Sequence, residues 1–415
     1  MLRRDNMRRI YMDYAATTPV RKEVLKAMLP YFTKEFGNAS SLHSMGVEAA
    51  EALDAARSRI ANAIGAKPEE IVFTSGGTES DNLAIKGAAY ANKDKGNHII
   101  SSVIEHPAVL NTCKSLEQEG FKVTYIPVDK NGSVDPRAVE KEITGKTILI
   151  AIMHANNEIG TIQPIAEIGR IAKAKGVLFH TDAVQTFGKL PVDVSALNVD
   201  MLTMSAHKIG GPKGVGALYV RESTPLKSLQ TGGPHEKNRR AGTENVAGIV
   251  GFSKAAELAA REMKPESVRL SKLRDRIINC VLSNVKDAQL NGHPSKRLPN
   301  NANFSFLGAE GEAIVLKLDA LGIAASTGSA CSSHDLAPSH VLLALGHSPL
   351  EAHGSLRITL GKETTPKDVD YAIKVIPKVI KELRAISPDI KEMKNVNWSD
   401  YNDDHGHSHG HGEKH

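Results

Sequence analysis

Cysteine is nearly absent: Cys113, Cys280 and Cys331 stand far apart in a chain of 415 residues. An odd number at such spacings supplies neither a disulfide framework nor a zinc site, and it points to a free thiol. Long apolar runs are missing as well. The basic cluster Arg3, Arg4, Arg8 and Arg9 is followed only by Ile10-Tyr11-Met12 before Asp13 interrupts it. The expectation is therefore a cytoplasmic protein with neither a signal peptide nor a membrane span. Nor is there a dominant charge, because the formal net charge of +5 is small for this length and partly concentrated in that cluster. It gives no reason to expect direct nucleic-acid binding. No internal repeat is visible.

What remains, 41% hydrophobic and 24% charged residues, is the composition of an ordinary globular protein, and the length exceeds what one core organises. From residue 71 the pattern alternates apolar strand-like runs (71–74, 98–103, 121–128, 147–153, 177–180, 201–204, 215–220) with helical periodicity (78–95, 107–119, 164–175). Such βα units predict an α/β fold: a mostly parallel sheet sandwiched by helices, with ligands beyond the carboxyl ends of the strands. Lys264-Pro265 reads as a boundary. Residues 13–263 form the expected large domain, 264–390 together with 1–12 a smaller α/β domain, and 391–415 a polar tail.

The stretch Met204-Ser205-Ala206-His207-Lys208-Ile209-Gly210-Gly211 puts a lysine after a strand and among glycines, where backbone can approach a ligand closely. A reactive amine there suits Schiff-base chemistry with a carbonyl cofactor. A surface lysine on a glycine-rich turn is the plain alternative. Ser75-Gly76-Gly77-Thr78, between a strand and a helix, reads as an anion cradle or equally as a helix cap. Asp182 follows another strand and would serve either as a cap or as the partner of a protonated ring nitrogen. One apolar segment separates Asp182 from Lys208, so adjacent strands can bring both to one edge.

Together with Asp13-Tyr14-Ala15-Ala16-Thr17-Thr18-Pro19, Glu105-His106, His154-Ala155-Asn156-Asn157-Glu158 and Thr181-Asp182-Ala183-Val184-Gln185, these motifs make the chain resemble the pyridoxal-phosphate-dependent cysteine desulfurases of the NifS/IscS type. The resemblance spans about residues 10–388 and implies the fold type I architecture of pyridoxal-phosphate enzymes. It implies that Lys208 binds the cofactor, that Asp182 meets its ring nitrogen, that Gln185 and Asn157 touch the ring-oxygen side, and that His106 stacks on the ring and moves protons. Gly77, Thr78, Ser205 and His207 would hold the phosphate, with Thr243 arriving from the other subunit of a homodimer. Asn38 and Arg357 would bind the carboxylate of L-cysteine, although the alternating strand around Arg357 reads on its own as exposing that arginine.

Ser326-Thr327-Gly328-Ser329-Ala330-Cys331-Ser332-Ser333-His334 surrounds a thiol with small polar residues, unlike the packing of a structural cysteine. By resemblance Cys331 takes the sulfur as a persulfide and passes it to acceptors for iron–sulfur cluster assembly or tRNA thiolation. No metal is required, though Cys331 would transiently share an iron–sulfur ligand role with a scaffold protein. Cys113 and Cys280, among apolar neighbours, read as core. The resemblance is imperfect at Ala206, at Ala39 and at Gly232-Gly233-Pro234-His235-Glu236, the last of which puts the loop leading to Thr243 in question. Selenocysteine lyase, or another lyase or aminotransferase on this fold, is the nearest rival reading, and a metal-trafficking protein the more distant one. His405, His407, His409 and His411 alternate with Gly or Ser in the tail, a pattern that gives weak affinity for nickel, zinc or copper.

Overall fold

The computed structural model describes residues 9–328 and 338–387. The chain enters on β1 (Ile10–Tyr11) and then builds a sheet from β2 (Ile71–Thr74), β3 (His98–Ser102), β4 (Lys122–Ile126), β5 (Thr147–Ala151), β6 (Leu178–Asp182), β7 (Met201–Ser205) and β8 (Gly216–Val220). The seven strands lie in the order β2-β8-β7-β6-β5-β3-β4. From β7 to β4 all neighbours are parallel, whereas β8 runs antiparallel to both β7 and β2. The reversal follows from the connection: a parallel return needs a crossover, and residues 206–215 offer only a short turn over Ala206–Lys208.

Every residue of β2, β3, β5, β7 and β8 is buried, because helices cover both faces. On one face Phe73, Ile150, Phe179 and Met204 pack against Ile60, Ile168 and Phe252. On the other, Val72, Ile99, Leu149 and Leu218 meet Leu83, Val109 and Cys113. Cys113 is fully buried there, and burial raises its thiol to about 12. Cys280 is only half-buried and lies 3.5 Å from the carbonyl of Ile373.

A second core forms around the antiparallel sheet of β9 (Ala288–Asn291), β10 (Asn301–Phe306) and β12 (Ser355–Thr359), with β10 in the middle. The short β11 (Ile323–Ala324) pairs in parallel with β1, so Ile10 and Met12 pack in this second core beside Phe304 and Ile376. No break marks the expected boundary at residue 264. One helix, Val246–Asn284, runs straight through Pro265. Before the proline it gives Ile249, Phe252 and Ala256 to the first core, and after it Leu270, Leu273 and Ile277 to the second. Pro265 is exposed, so the carbonyl that loses its helical partner can be met by water.

Candidate active site

The site grows from the strand ends of the large sheet. After β7 the chain turns through Ala206–Lys208, and Lys208 Nζ donates to the carbonyls of Ala15 at 2.5 Å and Ala16 at 2.8 Å. Those carbonyls are held in place from several sides. Thr18 bonds the carbonyl of His207 through its N–H (2.9 Å) and its hydroxyl (2.8 Å), His207 Nδ1 lies 3.1 Å from Thr17 Oγ1, and Gln185 Nε2 donates to Ala15 O at 3.0 Å. The surrounding glycines do not open the backbone toward a ligand, as the sequence suggested. A Cβ on Gly210 would lie 2.7 Å from Arg21 Cγ, one on Gly211 2.8 Å from Ala206 Cβ, and one on Gly216 2.8 Å from Gly76 Cα. At Gly216 this smallness packs β8 against the turn at residues 75–77.

That turn opens the helix Gly77–Ala91, which has no side-chain cap at its N-terminus. Its leading N–H groups are thus available to an anion. A Cβ on Gly77 would meet Val184 Cγ2 at 2.9 Å. Ser75 N–H donates to Glu79 Oε2 at 2.7 Å, and Glu79 in turn pairs with Arg240 at 2.8 Å, tying the turn to the loop over residues 231–243. Ser205 Oγ is buried without a hydrogen-bond partner.

Asp182 ends β6, and its Oδ1 accepts from Val184 N–H at 2.8 Å. Burial pushes its carboxyl up to about 6, against the opposing pull of that N–H and of Lys208. Behind it Asp81 is 1% exposed and held well above the usual carboxylate range by burial and by Asp182. His106 caps the helix Pro107–Gln118, accepting from Ala108 N–H at 3.1 Å, and also lines the cavity. Burial, then Lys208, lowers its imidazole to about 4, and the same two causes bring His207 to about 4.

Arg357 corrects the expectation of an exposed strand position. It is 3% exposed, its Nη2 bonds Asp13 Oδ1 at 3.0 Å and its Nη1 the carbonyl of Asn157 at 3.3 Å, while Nε has no partner. The alternation around it is real, but both faces of β12 are covered.

Gly77, Thr78, His106, Asn157, Asp182, Gln185, Ser205, His207, Lys208 and Arg357 thus line one cavity. Two predicted members stand apart. Asn38 is exposed, its Oδ1 accepting from Ser40 N–H at 2.9 Å. Thr243 lines a separate cavity with Ser75, Glu236 and Arg240. Cys331 and the tail histidines lie outside the described residues, among which no cluster of three or more His, Cys, Asp or Glu is placed to hold a metal. The departure at Glu236 has a local explanation. Its carboxylate, 8% exposed, takes both nitrogens of Arg57 (2.7 and 2.8 Å) and Phe73 N–H (2.8 Å), anchoring the loop although Glu236 itself sits at φ 46°. Asp13, Asp81, Glu105 and Glu158 escaped sequence reasoning as working residues. The motifs around them were visible, but a carboxylate's partner across 344 residues, as for Asp13 and Arg357, leaves no local signal.

Comparison with known proteins places the chain in a family. The family model for aminotransferase class-V matches residues 10–372. A cysteine desulfurase IscS of Dictyoglomus turgidum is 57% identical over 388 residues, covering 93% of this chain and 98% of that protein. Among solved structures, a NifS-like protein superposes with a TM-score of 0.85 at 39% identity, covering 90% of this chain and all of that one (100%). The structure described as SspA in complex with cysteine has a TM-score of 0.76 at 41% identity, covering 84% and 98% of the two chains. The chain belongs to the class-V aminotransferases. Within them it is a cysteine desulfurase, an enzyme of the pyridoxal-phosphate-dependent kind.

Proposed function

We propose that this chain converts L-cysteine to L-alanine with pyridoxal 5'-phosphate bound in the Lys208 cavity, and that Cys331 receives the sulfur as a persulfide. The observation that carries the reading is the convergence of an amine (Lys208), a buried carboxylate (Asp182), a neutral imidazole (His106) and an arginine with a free N–H (Arg357) on one cavity. The residues fit the group: the uncapped helix start at Gly77 and the unpartnered Ser205 hydroxyl suit a phosphate, and the buried Asp182 suits a protonated ring nitrogen. When bound, the cofactor supplies an aldehyde for the amine and a ring that draws electrons from the substrate's α-carbon.

The side chains then divide the work. The Ala15 and Ala16 carbonyls aim Lys208 Nζ, the amine that would hold the cofactor and that would also take the substrate's α-proton. Asp182, buried at the end of β6, would answer a protonated ring nitrogen where a counter-charge matters most. Arg357 takes the substrate carboxylate, with Asp13 orienting the guanidinium. His106, neutral at pH 7, is free to accept the proton of the substrate thiol. The Cys331 thiolate attacks the substrate sulfur and forms the sulfur–sulfur bond as the carbon–sulfur bond breaks with its electrons moving to the carbon side; protonation there, together with return of a proton to the α-carbon, yields alanine. We further propose a cytoplasmic homodimer in which Thr243 serves the partner's phosphate site, and delivery of the sulfur to an iron–sulfur scaffold protein and other acceptors. The test is Cys331→Ser. It should keep the cofactor and its spectral response to cysteine but form no persulfide; undiminished alanine release in the presence of dithiothreitol would mean another group takes the sulfur.

A further inference from the structure

The face that the smaller sheet turns away from its own core is polar. Ala302, Phe304 and Phe306 of β10 pack into the second core, with Leu356 and Ile358 of β12. The alternate residues Asn301, Asn303 and Arg357 take the other face, and none is more than 3% exposed. Asn303 stands opposite Asn291 of β9 on one side and Arg357 of β12 on the other, so the three form a row across the sheet. Against this row lies the turn that follows β5, in which four consecutive carbonyls accept hydrogen bonds from it or from the segment leading to it. Asn157 O takes Arg357 Nη1 at 3.3 Å, and Glu158 O takes the Nδ2 groups of Asn301 and Asn303 at 3.1 Å each. Ile159 O takes Arg297 Nη2 at 3.1 Å, and Gly160 O takes Leu298 N–H at 2.8 Å.

The donors are themselves oriented. Asn291 Nδ2 donates to Asn303 Oδ1 at 2.8 Å, which turns the Asn303 amide nitrogen toward Glu158 O. Arg297, 3% exposed, also reaches Asn301 O through Nε at 3.1 Å, so among the described residues its hydrogen bonds go to carbonyls and to no carboxylate. Burying amides and a guanidinium in this way costs desolvation that apolar side chains would avoid, and apolar packing alone would hold the two cores together. What the polar row adds is direction. It is received at Arg357, whose Nη2 is tied to Asp13 Oδ1 at 3.0 Å and whose Nη1 depends on the Asn157 carbonyl, while Nε has no partner. A planar guanidinium binds a carboxylate well only when its plane is correctly set.

We propose that Asn303, with Asn301 and Arg297 beside it, is a positioning residue for substrate selection, fixing the carbonyls of residues 157–160 so that Arg357 meets the α-carboxylate of L-cysteine at a set angle. The proposal rests on the role given to Arg357 above. Its physical basis is that a recognition group is only as precise as the shell that supports it, so a support lost several ångströms away is felt as lost affinity for the group recognised.

The experiment compares Asn303→Leu, similar in size but without a donor, with Asn291→Ala, which keeps Asn303 and removes only the group that orients it. In the holoenzyme, the absorbance change on titration measures affinity for L-cysteine and for cysteamine, which has the same thiol and amine but no carboxylate. Asn303→Leu should weaken L-cysteine by about tenfold, leave cysteamine within about twofold and keep kcat within about twofold. Asn291→Ala should show the same selective loss at about threefold, and it carries the test if Asn303→Leu does not fold. In the cofactor-free chain, amide hydrogen exchange at Ile159 and Gly160, which bond within the turn to Asn156, should quicken in both variants. L-cysteine affinity within twofold of wild type in the folded variants, equal weakening of L-cysteine and cysteamine, or unchanged exchange at those amides overturns the proposal. Arg357→Leu with an undiminished preference for L-cysteine over cysteamine overturns the role of Arg357 itself, a result distinct from the others.

Discussion

His106 and Lys208 line the same cavity, and the imidazole, lowered to about 4 by burial and then by the lysine, carries no charge at neutral pH. Nuclear magnetic resonance of the cofactor-free chain should show a His106 ring that stays neutral from pH 8 down to about pH 5; titration near the ordinary value of about 6.5 would contradict the burial argument. Its neighbour Glu105 is shifted the other way. Burial outweighs bonds from Ser102 (2.5 Å) and Met153 N–H (2.9 Å) and lifts the carboxyl to about 8. Because the folded pKa exceeds the unfolded value of about 4.3, Glu105 contributes stability that is complete below about pH 4 and is lost as pH rises through about 8. Glu105→Gln has no such loss. Relative to wild type, its denaturation midpoint should rise progressively between pH 5 and 8, and a constant offset across that range would refute the linkage.

Two elements carry the architecture of the site, the turn that opens the helix Gly77–Ala91 and the loop over residues 231–243. Gly216→Ala would push a Cβ to within 2.7 Å of Met204 O and 2.8 Å of Gly76 Cα, backbone atoms that yield little. It should cost about 1–3 kcal/mol in urea denaturation and weaken cofactor affinity as the turn shifts; an unchanged affinity would disconnect β8 from the anion cradle. Glu236→Ala should cost about 3–5 kcal/mol, since it leaves the Arg57 guanidinium buried without its counter-charge, while a loss under 1 kcal/mol would mean that water replaces the carboxylate. At this scale much was legible in sequence. The central strands β5 and β7 announced themselves as largely apolar runs because both of their faces are covered, and motif spacing put Asp182 at the end of β6 and Lys208 in the turn after the neighbouring β7. The rest has physical causes outside the local sequence. The helix passes from one core to the other through an exposed Pro265 without ending, the β8 reversal depends on how short a connection is, and the burial of Arg357 is decided by Asp13 and Asn157 from distant segments.

At the scale of the molecule, Thr243 lines a cavity separate from that of Lys208 in the same chain. If it serves a partner's phosphate site, mixing Lys208→Ala with Thr243→Ala chains should recover activity, because each mixed dimer rebuilds one complete site; no recovery would place Thr243 in its own chain's chemistry. The central claim, that one cavity's amine and the Cys331 thiol divide the desulfuration of cysteine, is tested most directly without any variant. The wild-type holoenzyme is mixed with L-cysteine in the absence of reductant, and alanine is counted while the digested chain is weighed. The account predicts stoichiometric alanine with a gain of one sulfur atom on the peptide containing Cys331. Alanine formed with the extra sulfur on Cys113 or Cys280, or on no cysteine at all, would contradict it.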